Sequence, residues 1–249
     1  MIIIKSPREI ALMREAGRVV ALVFEAVKDL CVPGVSTAQI DEAVERIIRE
    51  NGAIPAEKGY YGYPASVCTS VNEVILHGIP SKSKILRDGD IISLDLVAKK
   101  AGYCADACRT YEVGICGERA KKMIAIAREC FDNAVALVKP GVHLGDVSAM
   151  IEATAKKYGC SVPREYTGHG IGRDMHEDPY IPCYGVPGTG PILREGMTIC
   201  IEPMIFEHRN SVRVLKDGWT VVAKDGGLTS HYENTIVVTG DGFEILTKL

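Results

Sequence analysis

Two short motifs recur at one fixed separation, and they restrict the fold of this 249-residue chain more than any other feature. Pro33-Gly34-Val35 returns as Pro140-Gly141-Val142, and Ile85-Leu86-Arg87-Asp88-Gly89 returns as Ile192-Leu193-Arg194-Glu195-Gly196. Both offsets are 107 positions (140 − 33 and 192 − 85). Phe24 and Phe131 fall at the same offset within similar helical patterns. The chain therefore reads as two copies, about 8–113 and 115–240, of one unit: helix, Pro-Gly-Val turn, helix, loop, strands. A stack of separate repeats needs about three or more copies. Two copies are instead expected to pack about a pseudo-twofold axis as one α+β domain over 1–249. Its helices would cover a mostly antiparallel sheet, with a site between the halves.

Local signals support that order. Ser6 is placed to cap a helix, Pro7 suits its first position, and Glu9 completes a capping box. Ile10, Met13, Ala16, Val20 and Phe24 follow helical spacing, and the helix is expected to end near Leu30, before Pro33-Gly34. A second helix is predicted from Ser36 to Asn51, with Ile40, Val44 and Ile47 on one face. Asp88-Gly89 and Glu195-Gly196 each precede an apolar strand, Ile91 to Val97 and Met197 to Met204.

Bulk properties exclude several roles. A net charge of −3 gives no general attraction to nucleic acid or to an anionic membrane. No run approaches the roughly 18 apolar residues of a membrane helix. Met1-Ile2-Ile3-Ile4-Lys5 is too short for a signal-peptide core. A cytoplasmic protein is expected. The nine cysteines are odd in number, scattered and without a C-x-x-C pair, so free thiols in a reducing compartment are the reading. Cys104 and Cys108 lack the second pair that a structural zinc site needs.

Each of the two strands carries an acid among apolar residues: Asp95 in Leu94-Asp95-Leu96, and Glu202 in Ile201-Glu202-Pro203. These two are again 107 apart (202 − 95), so the repeat places one carboxylate in each half at equivalent positions. Buried carboxylates are paired or bind a cation, because an unpaired one costs several kcal/mol. Asp106 lies 11 residues after Asp95, across a hairpin predicted through Lys99-Lys100-Ala101-Gly102, and Glu233 precedes the apolar run Ile236-Val237-Val238. Among six histidines, His169 sits in Gly168-His169-Gly170-Ile171-Gly172, His176 in Met175-His176-Glu177, and His77 in Leu76-His77-Gly78. Taken singly, Asp106 reads as a solvated hairpin residue, Glu233 as a surface acid, and His208 and His231 as surface histidines. His143 reads as a residue that caps or flanks a helix. The glycine spacing around His169 is not G-x-G-x-x-G, so it gives little support to a dinucleotide site. Taken together, four carboxylates and one histidine form an oxygen-rich set that suits two adjacent first-row divalent ions.

At this point the chain resembles the type I methionine aminopeptidases of the pita-bread metallopeptidase superfamily. The resemblance covers nearly the whole chain. It rests on Asn72-Glu73-Val74-Ile75-Leu76-His77-Gly78, on Leu94-Asp95 with Asp106, on Gly168-His169-Gly170-Ile171-Gly172, on Ile201-Glu202-Pro203-Met204, and on Tyr232-Glu233-Asn234-Thr235. It implies a curved, mostly antiparallel sheet and a single catalytic domain that removes the initiator methionine when the second residue is small. It implies two divalent metal ions (manganese, iron or cobalt, with zinc admissible) held by Asp95, Asp106, His169, Glu202 and Glu233. Asp106 and Glu233 would bridge both ions, Asp95 would complete one, and His169 with Glu202 the other. His77, His176 and Glu202 take catalytic roles by the same resemblance. A methionine pocket maps to Tyr60, Tyr63, Cys68, Met175 and Trp219, with His77 and His176 also touching substrate. The implied partner is a peptide or nascent-chain N-terminus, with ribosome contact possible and a monomer as the default.

The chain departs from the family in places. Met175 stands where Phe is common, and Ala105-Asp106-Ala107-Cys108 replaces the usual small polar neighbours of the bridging aspartate. The N-terminal zinc-finger extension of some members and the long insertion of type II members are missing. Two other readings compete: a proline-specific aminopeptidase or prolidase of the same fold, which usually carries a large extra N-terminal domain, and a non-catalytic relative acting as a binding protein, which typically loses ligands.

Overall fold

A computed structural model describes all residues, 1–249. The first helix, α1 (Pro7–Val27), begins at the expected capping box: the Ser6 backbone N–H and hydroxyl both donate to Glu9 Oε2, at 2.9 and 2.8 Å. A 3-10 turn over Lys28–Leu30 ends it. Ser36 caps α2 (Thr37–Glu50), with Gln39 completing a second box. The first half continues with β1 (Ile54–Pro55), β2 (Cys68–Val71), β3 (Val74–Leu76), β4 (Ile91–Lys100) and β5 (Tyr103–Glu112). The second half opens with α3 (Glu118–Val135) and α4 (Leu144–Lys157), the latter N-capped by His143 as expected. It goes on with β6 (Thr167–Gly170), β7 (Glu177–Pro182), β8 (Thr198–Ile201), β9 (Met204–Phe206), β10 (Val212–Val214), β11 (Val221–Ala223), β12 (Thr229–His231), β13 (Asn234–Val238) and β14 (Phe243–Ile245).

The recurring motifs are the two partners of one local pairing. Gly34 N–H donates to the Leu86 carbonyl at 2.9 Å, and Leu86 N–H donates back to Val35 at 2.8 Å. In the second half Gly141 donates to Leu193 at 3.0 Å, and Leu193 donates to Val142 at 2.8 Å. Isolated bridges follow at Ser36–Ile85 and His143–Ile192. Gly34 and Gly141 both stand at φ +92°, where a side chain is disfavoured, which is why the motif keeps its glycine.

All strand pairs are antiparallel. In the first half β4 is flanked by β5 and β2, and β1 pairs with its far end. In the second, the order is β14-β13-β8-β6-β7. The β4–β5 turn is Ala101-Gly102, with φ of +50° and +84°, the two-residue geometry that matches strand twist. The strand expected from Met197 to Met204 is interrupted. β8 ends at Ile201 and β9 begins at Met204, because Pro203 has no N–H for the ladder. No helix is long and apolar enough to cross a membrane, and all nine cysteines are free and buried.

Two large cores fill the molecule, one within the first half and one that adds Ile75, Leu76 and Ile91 of the first half to residues of the second. One packs α1 and α2 on β4 and β5 through Val20, Phe24, Ile40, Val44, Leu94 and Leu96. The other packs α3 and α4 against the second sheet through Ile126, Phe131, Ile151, Ile199 and Ile236. A smaller cluster containing Met13, Val97, Ile171, Cys200, Val237 and Leu246 joins the two. Gly17 permits part of that join: a Cβ there would lie 2.0 Å from the Leu246 carbonyl oxygen. Gly17→Ala is expected to destabilise the chain by about 1–3 kcal/mol despite alanine's better helix propensity, because the obstacle is backbone. Chemical denaturation measures this, and an unchanged or raised midpoint contradicts it.

Candidate active site

Hairpin arithmetic brings Asp95 and Asp106 together. The β4–β5 register sets Asp95 opposite Cys108 and Val97 opposite Asp106. Side chains alternate along a strand, so residues 95, 97, 106 and 108 share one face, and the two acids are diagonal neighbours. With a two-residue turn, a spacing of 11 dictates this. In the second half His169 lies opposite Cys200 and Asn234 opposite Ile201. Glu202, at the break made by Pro203, and Glu233, just before β13, thus come to adjacent strand ends.

A seam of hydrogen bonds joins the halves at these residues. The Thr235 hydroxyl accepts from Asp106 N–H at 2.9 Å and donates to the Asp106 carbonyl at 2.8 Å. Glu233 N–H donates to the Cys108 carbonyl at 3.0 Å. The Arg109 guanidinium donates to the Glu233 carbonyl and, at 2.6 Å, to Asn234 Oδ1.

The five expected ligands converge. His169 Nε2 is 3.6 Å from both Asp106 Oδ2 and Glu202 Oε1. These gaps are too wide for hydrogen bonds and narrow enough to share an ion. His169 Nδ1 donates to the Gly170 carbonyl at 2.9 Å, so Nε2 presents its lone pair to the acids, the orientation a metal-ligating histidine needs. Burial lowers the His169 pKa to about 4. Asp106 and Glu233 are buried, and Asp95 is partly open to the cavity. Burial first, and then neighbouring carboxylates, push Asp95, Glu202 and Glu233 well above the ordinary carboxylate range. Burial raises Asp106 to about 7. Asp106 Oδ1 and Glu233 Oε1 have no hydrogen-bond partner. Orphaned buried carboxylate oxygens are costly, and divalent cations relieve that cost. Four carboxylates, one imidazole and these unpartnered oxygens fit two divalent ions in charge and in donor type.

The acids open into a cavity of about 470 Å³. Its walls include every residue expected for substrate: Tyr60, Tyr63, Cys68, His77, Met175, His176 and Trp219. Tyr63 meets Trp219 edge-on, with ring centroids 5.1 Å apart, and His77 lies 6.0 Å from Trp219. His176 is 4.3 Å from His169, ring to ring, and its Nδ1 is 2.8 Å from the Tyr60 hydroxyl. Burial lowers both His77 and His176 to about 4, so both are neutral at pH 7. His77 is held at φ +55°, a strained backbone for a non-glycine residue.

Several expectations are corrected. Asp106, read alone as a solvated hairpin residue, is 5% exposed because the second half covers its face of the hairpin. Glu233, read alone as a surface acid, is 2% exposed. His231, expected at the surface, is 1% exposed, its Nε2 3.8 Å from Glu202 and 3.9 Å from Glu233 with no hydrogen-bond partner. Only its place two residues before Glu233 hinted at this. His208 is exposed, as expected. Cys104 and Cys108 do not act as a pair: the Cys104 thiol donates to the Arg173 carbonyl, while Cys108 lies with Asp95 and His231. Glu57 was not anticipated at all. It lines the cavity, is buried, and leaves Oε2 without a partner. A glutamate in Pro55-Ala56-Glu57-Lys58 carries no sequence signal of burial.

Residues 11–240 match the model of metallopeptidase family M24. The chain is 47% identical to methionine aminopeptidase 1 of Bacillus subtilis, over the full length of both. It is 45% identical to methionine aminopeptidase of Escherichia coli K12, over 98% of this chain and 93% of that one. The crystal structure of a methionine aminopeptidase from Thermotoga maritima superposes with a TM-score of 0.99 at 46% identity, covering all of both chains. A prolidase from Pyrococcus furiosus superposes with a TM-score of 0.81 at 25% identity, over 99% of this chain and 66% of that one.

The clustered acids make a prediction for the metal-free protein. A carboxyl whose folded pKa is raised keeps its proton longer in the folded than in the unfolded chain, so stability falls as pH rises between the two values. Buried histidines of lowered pKa act in the opposite sense, but only below about pH 6.5, their unfolded value. From pH 6.5 to about 7.5 the acids dominate, and the buried thiols, raised above their ordinary value, add to the same slope only as pH nears 8. Metal-free protein is expected to lose thermal stability over that window, by about 1.4 kcal/mol per pH unit for each carboxyl still protonated only in the folded state. Added manganese should remove the slope. Melting curves with and without manganese test this, and a flat metal-free profile contradicts it.

Proposed function

The chain belongs to metallopeptidase family M24, among its methionine aminopeptidases, and from that membership we propose that it removes the N-terminal methionine from peptides and newly made proteins whose second residue is small. The observation that carries the reading is the adjacency of the five-ligand cage to a pocket walled by aromatic and sulfur side chains. A thioether side chain fits such walls, and the cage beside it sets hydrolysis at the first peptide bond.

Asp95, Asp106, His169, Glu202 and Glu233 would hold two divalent ions, manganese, iron, cobalt or zinc. When bound, these supply an acidified water and a polarised carbonyl. The remaining steps belong to the chain itself. Tyr63, Cys68, Met175 and Trp219 take the methionine side chain, which places the first carbonyl beside His176. With the Tyr60 phenol donating to Nδ1, His176 carries its proton on Nε2 and donates it as a hydrogen bond to the oxygen that gains charge. His77, neutral as well, orients the peptide. Glu202 takes a proton from the attacking water and passes it to the departing amine. The setting we propose is cytoplasmic, with the enzyme acting as a monomer on chains emerging from the ribosome. Nine buried free thiols fit a reducing compartment. The proline-specific alternative has weaker support, since the prolidase similarity is 25% against 45–47% for methionine aminopeptidases. The binding-protein alternative has none, since all five ligand side chains are present and converge.

Metal-stripped protein supplied with manganese, cobalt or iron(II) is expected to release methionine from Met-Ala-Ser and to leave Ala-Pro-Ala intact. Cleavage of the proline peptide alone would move the assignment to the proline-specific relatives. Glu233→Ala should lose bound metal and nearly all turnover. His176→Ala should keep its metal and lose about 10²–10³ in kcat. Metal loss in His176→Ala would make this residue a ligand and overturn its role.

A further inference from the structure

Glu57 is the buried carboxyl of the cavity that the reaction above leaves unused. It is 8% exposed, packed where burial and the charges of Asp95 and Asp106 disfavour a lone carboxylate. Its Oε1 accepts from the Cys68 thiol at 3.6 Å, and its Oε2 meets no partner. One ligand atom from each of Glu57, Cys68 and Asp95 lies within 4.8 Å of the other two. Sulfur at about 2.3 Å and oxygen at about 2.0 Å from a tetrahedral zinc lie about 3.5 Å apart, close to the Cys68–Glu57 separation. A thiol joined to carboxylates favours zinc or cobalt over magnesium or manganese.

We propose that Glu57, Cys68 and Asp95 form a further divalent-cation site, of the zinc class, in the wall of the side-chain pocket. The cation enters from solvent and displaces the Cys68 proton to solvent, so that the thiolate, Glu57 and one oxygen of Asp95 become its three protein ligands. Asp95 then serves two sites with its two oxygens. Because Cys68 also lines the pocket for the first side chain, a filled site excludes that side chain, and zinc beyond two equivalents acts as an inhibitor. The inhibition rests on the aminopeptidase reading; the binding does not.

The test is a titration of the metal-free full chain with cobalt(II), followed by equilibrium dialysis and absorption. The first two equivalents should fill the oxygen and nitrogen cage. A third should add a thiolate-to-cobalt charge-transfer band in the near ultraviolet. Cys68→Ser should abolish that band, and Glu57→Gln should weaken the third equivalent by about tenfold or more. Each variant is judged against its own first two equivalents, which report a folded cage. In parallel, zinc beyond two equivalents should inhibit Met-Ala-Ser cleavage competitively, about tenfold less potently in Glu57→Gln relative to that variant's own zinc-free rate. Binding of only two equivalents, a band that survives Cys68→Ser, or a band that follows Cys200→Ser instead overturns the site. Absence of cleavage in every metal state overturns the aminopeptidase reading and leaves the spectra to decide the site.

Discussion

Asp95, Asp106, Glu202 and Glu233 bring four carboxylates into a space enclosed by the two sheets, and the backbone has to hold them against one another. The seam between β5 and β13 does so. Thr235 fastens both backbone groups of Asp106, Glu233 N–H is tied to Cys108, and Arg109 crosses from one half to reach the Glu233 carbonyl and Asn234. Arg109 also lies over the rings of Phe24 and Tyr232, one from each half. These bonds use the backbone groups of the acidic residues and leave side-chain oxygens such as Asp106 Oδ1 and Glu233 Oε1 free. Structure and charge are thereby separated: hydrogen bonds fix where the carboxylates stand, and cations satisfy what they carry.

The two halves reach this seam by one device executed differently. The Pro-Gly-Val turn and the later Ile-Leu-Arg segment pair in each half with nearly the same hydrogen-bond lengths, which sets the strand after each at an equivalent position. In the first half that strand runs on for ten residues and delivers Asp95 from its middle. In the second, Pro203 stops the ladder, and Glu202 emerges at the break.

The chemistry of the cavity is set by what burial does to each group. His77, His169 and His176 are all held neutral at pH 7, so the imidazoles can donate hydrogen bonds or offer lone pairs without adding positive charge that would compete with cations for the acids. The Gly170 carbonyl holds Nδ1–H of His169 and turns its Nε2 toward the acids, while the Tyr60 hydroxyl engages Nδ1 of His176. Tyr63 and Trp219, packed edge to face, form part of the cavity wall, with His77 against the same indole.

The sequence by itself determined the helices, through capping and 3.6-residue periodicity, and the twofold plan, through motifs at a shared offset. It offered the 11-residue spacing of Asp95 and Asp106 across a hairpin, but that the two share a face followed only from the two-residue turn at Ala101-Gly102 and the β4–β5 register it sets. These are local properties, decided within one helix or one hairpin. The family motifs carried the identity of the remaining ligands. Only the tertiary structure decided burial. Asp106 and Glu233 differ from solvated acids only because each half covers the other's strand. His231 is buried because β12 pairs with β9 beneath the acids. Glu57 turns into the cavity beside Cys68 and Asp95, residues supplied by separate strands. Burial is a sum over elements distant in sequence, so no pattern of neighbouring residues announces it.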